Sequence, residues 1–260
     1  MNLARRRMAD GGLVLCMGLR QARSLDAVMI AGAAGFDSVY VDLEHSPLSL
    51  ETASTLCVGA PGLGVTPLVR VPSHAADWIS RVLDGGAQGV IVPHVNSAEE
   101  AAAVVRAARF PPLKRRSVGG PGPALGYRGL PLGEINDTLN RESLVIVMIE
   151  TPEAVERADA IAAVDGVDVL LIGSNDLCTE MGIPGQLRHP RLAQAYERVA
   201  AACRAHGRHL GVGGIRGDAE LQRSLLALGA RFLIAGNDVG YLASAAGADV
   251  KTLRALVPSP

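Results

Sequence analysis

The chain alternates short apolar runs with longer stretches in which apolar residues recur at helical spacing. The runs LVIVMI, VDVLLI and RFLIA are almost continuously apolar, which is typical of parallel strands covered on both faces. This pattern predicts eight strands, at 13–19, 38–42, 67–71, 89–93, 144–150, 168–172, 209–213 and 231–235.

The segments between these strands predict helices, and several carry helix-end signals. Ser97 stands before two glutamates and an alanine-rich run, as a helix N-cap does. Helical spacing recurs at 191–206 and 218–228, and Gly207 follows the first of these as a C-terminal cap. Eight strand–helix units in 260 residues predict an α/β protein, a single-domain (β/α)8 TIM barrel over 1–260. A doubly wound open sheet is the alternative, although it usually has fewer strands.

One segment interrupts the alternation. Residues 111–143 predict an irregular loop rich in glycine and proline, with a basic cluster at 114–116. Loops of this length inside a compact domain are usually functional or disordered. We expect a lid, an arm between subunits or a mobile surface loop.

Composition excludes several classes of protein. Hydrophobic residues make up 48% and charged residues 20%, which excludes a disordered chain. A net charge of -1 and an aromatic content of 3% give no basic or stacking surface, so we expect neither nucleic acid nor a membrane as a partner. No apolar run approaches the ~20 residues of a membrane-spanning helix, and Arg5–Arg7 precede no signal-peptide core. The four scattered cysteines indicate buried thiols in a reducing compartment, and we expect a cytoplasmic protein.

Polar residues collect at the carboxyl ends of the predicted strands, where the active sites of such barrels lie. They are Asp42, Glu44, His45, Arg70, Glu150, Gly173 to Asp176, Gly213, Gly214, Asn237 and Asp238.

Glu150 and Asp176 end successive strands. Neighbouring strands lie ~4.8 Å apart, so both carboxylates can reach one ion. Two carboxylates without thiols suit a hard divalent cation such as Mg or Mn. Either residue alone would be better explained as a helix cap, and the pair favours a metal site.

His45 lies three residues after Asp42, and an aspartate beside a histidine suits a general base. His94 follows the fourth strand and is a second candidate. Arg70 ends a buried strand and needs an anion, either a substrate or the carboxylate of Asp42 or Glu44.

Two further observations bear on the chemistry. Residues 173–176 could present backbone N–H groups to an anion where a helix begins. The two lysines, Lys114 and Lys251, lie off the predicted strands. A Schiff-base mechanism needs a desolvated lysine in the site, so activation of a carbonyl group falls to a metal instead.

Five stretches resemble the HpcH/HpaI aldolase family of metal-dependent class II pyruvate aldolases. They are VDLEHSP at 41–47, LVRVP at 68–72, LDGGAQGVIVPHVNSAEEA at 83–101, MIETPEAVE at 148–156 and DVLLIGSNDL at 168–177. They span most of the chain in the family's order.

The resemblance implies a role for each matching residue. Glu150 and Asp176 would bind a divalent cation (Mg, Mn or Co), and Arg70 would contact the keto oxygen. His45, oriented by Asp42, would transfer protons, with Glu44 supporting the site. The resemblance also assigns the backbone amides of Gly173, Ser174 and Asp176 to the substrate carboxylate. Asp84 would lie near a neighbouring subunit's site, because family members are commonly hexamers.

Two positions depart from the family pattern. Met148 stands where the family often has glutamine, so a hydrogen bond that supports the metal site is missing. The sequence LKRRSVGG follows Pro112, where many members have a pattern with an earlier glycine, and this affects the distal part of the substrate site.

The sequence thus predicts an aldolase that reversibly cleaves a 4-hydroxy-2-oxo acid to pyruvate and an aldehyde. One alternative is a lyase for acyl-CoA thioesters of the malyl-CoA or citrate lyase type, which would use the basic cluster at 114–116. Another is a barrel that binds an anionic metabolite without turnover.

Overall fold

A computed structural model describes residues 2–256. Eight parallel strands close into a barrel in sequence order, β1 to β8, with β8 paired to β1. Their bounds are Val14–Leu19, Ser38–Asp42, Thr66–Arg70, Gly89–Val92, Leu144–Ile149, Val169–Gly173, His209–Gly213 and Ala230–Asn237. The predicted ends of all eight strands agree with the observed ends to within two residues. The eight strands and the (β/α)8 barrel are therefore confirmed.

Twelve α-helices lie within the described part of the chain. They are α1 Leu3–Ala9, α2 Leu25–Ala33, α3 Leu50–Gly59, α4 Ala76–Asp84, α5 Ala98–Ala108, α6 Leu132–Glu142, α7 Pro152–Glu156, α8 Ala158–Ala162, α9 Ser174–Glu180, α10 Pro190–Ala205, α11 Ala219–Leu228 and α12 Asp238–Arg254. Two 3₁₀ turns lie between these elements: Ala60–Leu63 connects α3 to β3, and Pro123–Leu125 lies between α5 and α6. The Ser97 hydroxyl accepts the N–H of Glu100, as its cap role predicts. None of the helices in residues 2–256 is both long and apolar enough to cross a membrane.

The continuous apolar runs serve two separate cores. In β5, Leu144, Ile146 and Met148 point into the barrel, whereas alternate residues pack against the outer helices. Ala4 and Met8 of α1 join the inner core and close one end of the barrel. Both faces of most strands are therefore buried, which explains why these strands carry so little polar patterning, whereas the last four residues of β8 are only partly buried.

A partly buried ion cluster lies at the amino-terminal ends of the strands. The Asp168 carboxylate accepts hydrogen bonds from Arg5 and Arg109, each at 2.7 Å, and from the Val145 N–H at 2.8 Å. This cluster ties α1 and the end of α5 to β5 and β6. It holds the barrel together at the end away from the polar ring.

The prediction of an irregular loop over 111–143 is wrong for its last third, because α6 occupies Leu132–Glu142. Ile135 and Asn140 are buried on one face of α6, and the Asn140 side chain pairs with both the N–H and the C=O of Phe110. The flanking glycines and prolines obscured this short amphipathic pattern. The segment links α5 to β5, so it lies at the amino-terminal ends of the strands. It is therefore not a lid over the carboxyl-terminal site of its own barrel.

Candidate active site

A cavity of about 340 Å³ opens at the carboxyl ends of the strands. Its lining residues come from six of the eight strands and the segments that follow them. They are Tyr40, His45, Arg70, Met148, Gly173, Ser174, Asn175, Asp176, Gly213, Gly214, Arg216, Ile234, Gly236 and Asn237. Much of the predicted polar ring lines this cavity, whereas Asp42, Glu44, Glu150 and Asp238 are not among its lining residues.

Register brings Arg70 and Asp42 together, because they are paired positions of β3 and β2. Arg70 donates two hydrogen bonds to the Asp42 carboxylate, at 3.0 Å and 2.7 Å. Its third nitrogen lies 3.0 Å from Glu44 Oε2. Both carboxylate partners that the sequence allowed are therefore present, and they orient the guanidinium at the wall of the cavity.

Asp42 is fully buried and carries a charge in the folded protein. Burial alone would raise its pKa, but the Arg70 guanidinium and the backbone N–H groups of Glu44 and His45 hold the pKa below its usual value. Arg70 remains charged for the same reason, since its ion pairs outweigh the effect of burial on its pKa.

The expectation that Asp42 orients the His45 imidazole is wrong. The Asp42 carboxylate accepts the backbone N–H of His45 at 3.1 Å and is otherwise occupied by Arg70. The acid beside the ring is Glu44, whose Oε2 lies 3.7 Å from His45 Nε2. The ring is half exposed and lines the cavity. Spacing in the sequence could not distinguish these two acids.

Glu44 contacts both candidate histidines. Its Oε1 lies 3.6 Å from His94 Nε2, and its Oε2 lies beside His45. His94 also donates its backbone N–H to Glu150 at 2.9 Å and adopts a positive φ of 50°. Strained backbone of this kind in a non-glycine residue is found preferentially at functional sites.

Glu150 follows β5, and its side chain lies against Gly173 at the end of β6. A Cβ atom at Gly173 would lie 2.5 Å from Glu150 Oε1, so only glycine permits this approach. Burial raises the pKa of Glu150 to about 7, and the negative charges of Asp176 and Glu44 add to the rise. The His94 N–H and ring act in the opposite direction.

Asp176 lies in the first turn of α9 and lines the cavity. Its negative charge contributes to the raised pKa of Glu150, and the shared metal site of the two carboxylates stays a prediction. Across residues 2–256, no three or more His, Cys, Asp or Glu side chains gather into a group that could hold a metal ion. Any metal here would depend on these two carboxylates together with oxygen atoms of water and substrate.

The start of α9 faces the cavity without a side-chain cap. Its N-cap residue is Gly173, which has no side chain to cap the helix. Gly173, Ser174 and Asp176 all line the cavity. Ser174 is buried, and its hydroxyl is 2.9 Å from that of Tyr196. Its side chain is therefore occupied, which leaves the backbone as the part of Ser174 that can serve a ligand.

Asp84 and the basic cluster lie away from this cavity. Asp84 ends α4, at the amino-terminal ends of the strands, and accepts a hydrogen bond from Arg116 at 2.6 Å. Arg116 is buried against the Phe110 ring. The basic cluster therefore gives no groove for coenzyme A beside the site, and that alternative loses its support.

Sequence reasoning missed three residues near the cavity. Tyr40 and Arg216 line it, and Tyr241 stacks against Arg216. Arg216 stands in the glycine-rich string GVGGIRG, directly after β7. A charged residue at the carboxyl end of a predicted strand was the available signal. Asp238, by contrast, belongs to the fold: its carboxylate accepts the N–H groups of four residues, Arg20, Gln21, Ala22 and Val239.

Comparisons with known proteins identify the family. The family model described as HpcH/HpaI aldolase/citrate lyase matches residues 20–245. A 4-hydroxy-4-methyl-2-oxoglutarate aldolase of Hapsidospora irregularis is 43% identical, over 93% of this chain and 91% of its own. A 5-keto-4-deoxy-D-glucarate aldolase of Salmonella arizonae is 34% identical over 81% of both chains.

A solved structure gives the same result. The crystal structure of an HpcH/HpaI aldolase from Desulfitobacterium hafniense superposes with a TM-score of 0.94, at 32% identity and with full coverage of both chains. These matches confirm the resemblance and the prediction of an aldolase. The chain belongs to the HpcH/HpaI aldolase/citrate lyase family and is an aldolase.

Proposed function

We propose that this aldolase reversibly cleaves a 4-hydroxy-2-oxo acid to pyruvate and a carbonyl product, with a divalent cation at Glu150 and Asp176. The proposal is carried by the position of Glu150 directly after β5, where it is buried against Gly173 of β6, with Asp176 in the first turn of the helix that follows β6. Burial and repulsion raise the pKa of Glu150 to about 7, and a cation would relieve both. Oxygen donors of this kind fit Mg, Mn or Co, and two protein ligands leave room for substrate. Once bound, the cation polarises the keto group as a Lewis acid.

Arg70 stabilises the negative charge that develops on the keto oxygen. Its guanidinium is held on three sides by Asp42 and Glu44, so it needs no reorganisation during the reaction. The uncapped start of α9 offers backbone N–H groups to the substrate carboxylate.

His45 removes the proton of the C4 hydroxyl group. It lines the same cavity as Arg70, and Glu44 stabilises the imidazolium that forms. The electrons of the C3–C4 bond then form the enolate beside Arg70, and C4 leaves as a carbonyl. Protonation of C3 completes pyruvate. The reverse sequence is the aldol addition.

Removal of divalent cations tests this proposal. We expect protein dialysed against a chelator to lose pyruvate release by about a thousandfold, because Lewis-acid stabilisation is worth several kcal/mol. Adding back Mg, Mn or Co one at a time should restore activity and rank the metals. Pyruvate release that survives the chelator would contradict the proposal.

We also propose that the protein forms a homo-oligomer, with a hexamer expected from the family resemblance. Helix α12 buries none of its residues, although it carries Leu242 and Leu253, which are 73% and 62% exposed. An apolar helix face of this kind usually marks a contact with another protein. Light scattering should give a mass several times 27.0 kDa. A monomer at micromolar concentration would contradict the proposal.

A further inference from the structure

Arg216 stands at the cavity wall on the segment that follows β7. It lines the same cavity as Asp176, on the neighbouring β/α unit of the barrel. Its guanidinium lies 4.5 Å from the centre of the Tyr241 ring. Stacking on an aromatic face holds a guanidinium in place while its N–H donors, which lie in its plane, remain free.

The other arginines near the cavity are occupied. Arg70 is paired with the carboxylates of Asp42 and Glu44. Arg20 donates to the His45 carbonyl at 2.7 Å and lies 3.4 Å from Asp42. Within residues 2–256, Arg216 forms no salt bridge, and its guanidinium donates no hydrogen bond to the protein.

We propose that Arg216 binds a second carboxylate, at the far end of the substrate from its pyruvyl half. This inference rests on the proposed aldolase reaction, in which Arg70 and the start of α9 already serve the pyruvyl half. A free guanidinium in the same cavity is suited to paired hydrogen bonds with a carboxylate. Arg216 is therefore the residue that we expect to set the preference of the enzyme for a 4-hydroxy-2-oxo dicarboxylic acid. Cleavage of its C3–C4 bond gives pyruvate and an oxo acid that keeps the distal carboxylate.

Two substrates that differ only at the distal group test this assignment. They are 4-hydroxy-2-oxoglutarate and 4-hydroxy-2-oxopentanoate, in which a methyl group replaces the distal carboxylate. We expect Arg216→Ala to lower kcat/KM for the dicarboxylate about 10- to 100-fold, as for the loss of a charge-assisted pair. The monocarboxylate and the exchange of pyruvate methyl protons with deuterium oxide should not change. Arg223→Ala, at an exposed position of α11, is the matched control and should leave all three rates unchanged.

Variants of Tyr241 test the stacking platform. Tyr241→Phe keeps the ring and should keep the preference for the dicarboxylate. Tyr241→Leu removes the ring, and we expect the same preference to fall while pyruvate exchange persists. A Leu variant that keeps the full preference would overturn the role of the ring.

The outcomes separate this inference from the proposed reaction. Arg216→Ala could lower kcat/KM for both substrates and the rate of pyruvate exchange equally, or leave all three unchanged. Either result overturns the assignment of the distal carboxylate while the reaction stands. If the wild-type enzyme cleaves neither compound and exchanges no pyruvate protons, both the proposed reaction and the assignment of Arg216 are overturned.

Discussion

Replacing Glu150 by glutamine should reduce pyruvate release by about a thousandfold or more. The amide keeps the shape of the side chain but loses the charge that holds the proposed cation beside Asp176, and with it the stabilisation of the developing enolate. The affinity for Mn should fall in parallel, which can be measured by calorimetry without any turnover. Glu180→Gln, at an exposed position of α9, is the matched control and should change neither quantity.

The same substitution should stabilise the metal-free protein at alkaline pH. Glu150 is 1% exposed, and burial raises its pKa from 4.5 to about 7. Between these two values the folded state holds a proton that the unfolded state has already released. The free energy of unfolding of the wild-type protein therefore falls as pH rises through this window and is flat above it. The loss amounts to at most about 3 kcal/mol.

Denaturation in the presence of a chelator, at pH 5 and at pH 8, measures this effect. Glu150→Gln should be about as stable as the wild type at pH 5 and more stable at pH 8. If the variant retains catalysis, Glu150 is not a metal ligand. If the wild-type protein is equally stable at both values, the carboxylate is not held in the buried, repulsive environment described above.

The barrel was predictable from the sequence because most strands are buried on two faces. Runs such as LVIVMI have no polar face, which is typical of strands buried on both sides. Eight predicted strands with helices between them fit few architectures. The short helix α6 was missed because its apolar positions, such as Ile135, lie beside a stretch dominated by glycine and proline. Local composition concealed an element that tertiary contacts stabilise.

The site was predictable at the level of strand ends and less so at the level of contacts. Asp42, Arg70, Glu150 and Asp176 lie where their strands end, and two of them, Arg70 and Asp176, line the cavity. Which acid faces His45 depends on how the backbone turns after β2, and a spacing of three residues does not encode this. Tyr241 reaches Arg216 from α12, and such long-range contacts leave no local signal.

Replacing Arg70 by alanine should both inactivate and destabilise the enzyme. Removal of one member of a buried ion pair costs about 3–5 kcal/mol, because the remaining charge is left buried without a partner. Here Asp42, which is fully buried, and Glu44 would both lose the cation. The proposed stabilisation of the enolate would be lost as well, so pyruvate release should fall by about a hundredfold or more even in fully folded samples.

The pH dependence distinguishes this cause from a loss of packing. In the wild-type protein Arg70 keeps the pKa of Asp42 below its usual value, so the ion pair stabilises the fold at neutral pH and the effect is lost in acid. Without Arg70, burial favours the protonated form of Asp42. The difference in the free energy of unfolding between wild type and Arg70→Ala should therefore be largest near pH 8 and smaller near pH 5.

A double-mutant cycle with Asp42→Asn completes the test. Since Arg70 donates two hydrogen bonds to Asp42, the double variant should be less destabilised than the sum of the single variants. Arg70→Lys keeps the charge but cannot make the paired contacts, so it should recover part of the stability and little of the activity. Additive destabilisation that does not vary with pH would show that Arg70 acts through packing alone. It would also remove the reason for regarding its guanidinium as a rigid, pre-positioned charge in the cavity.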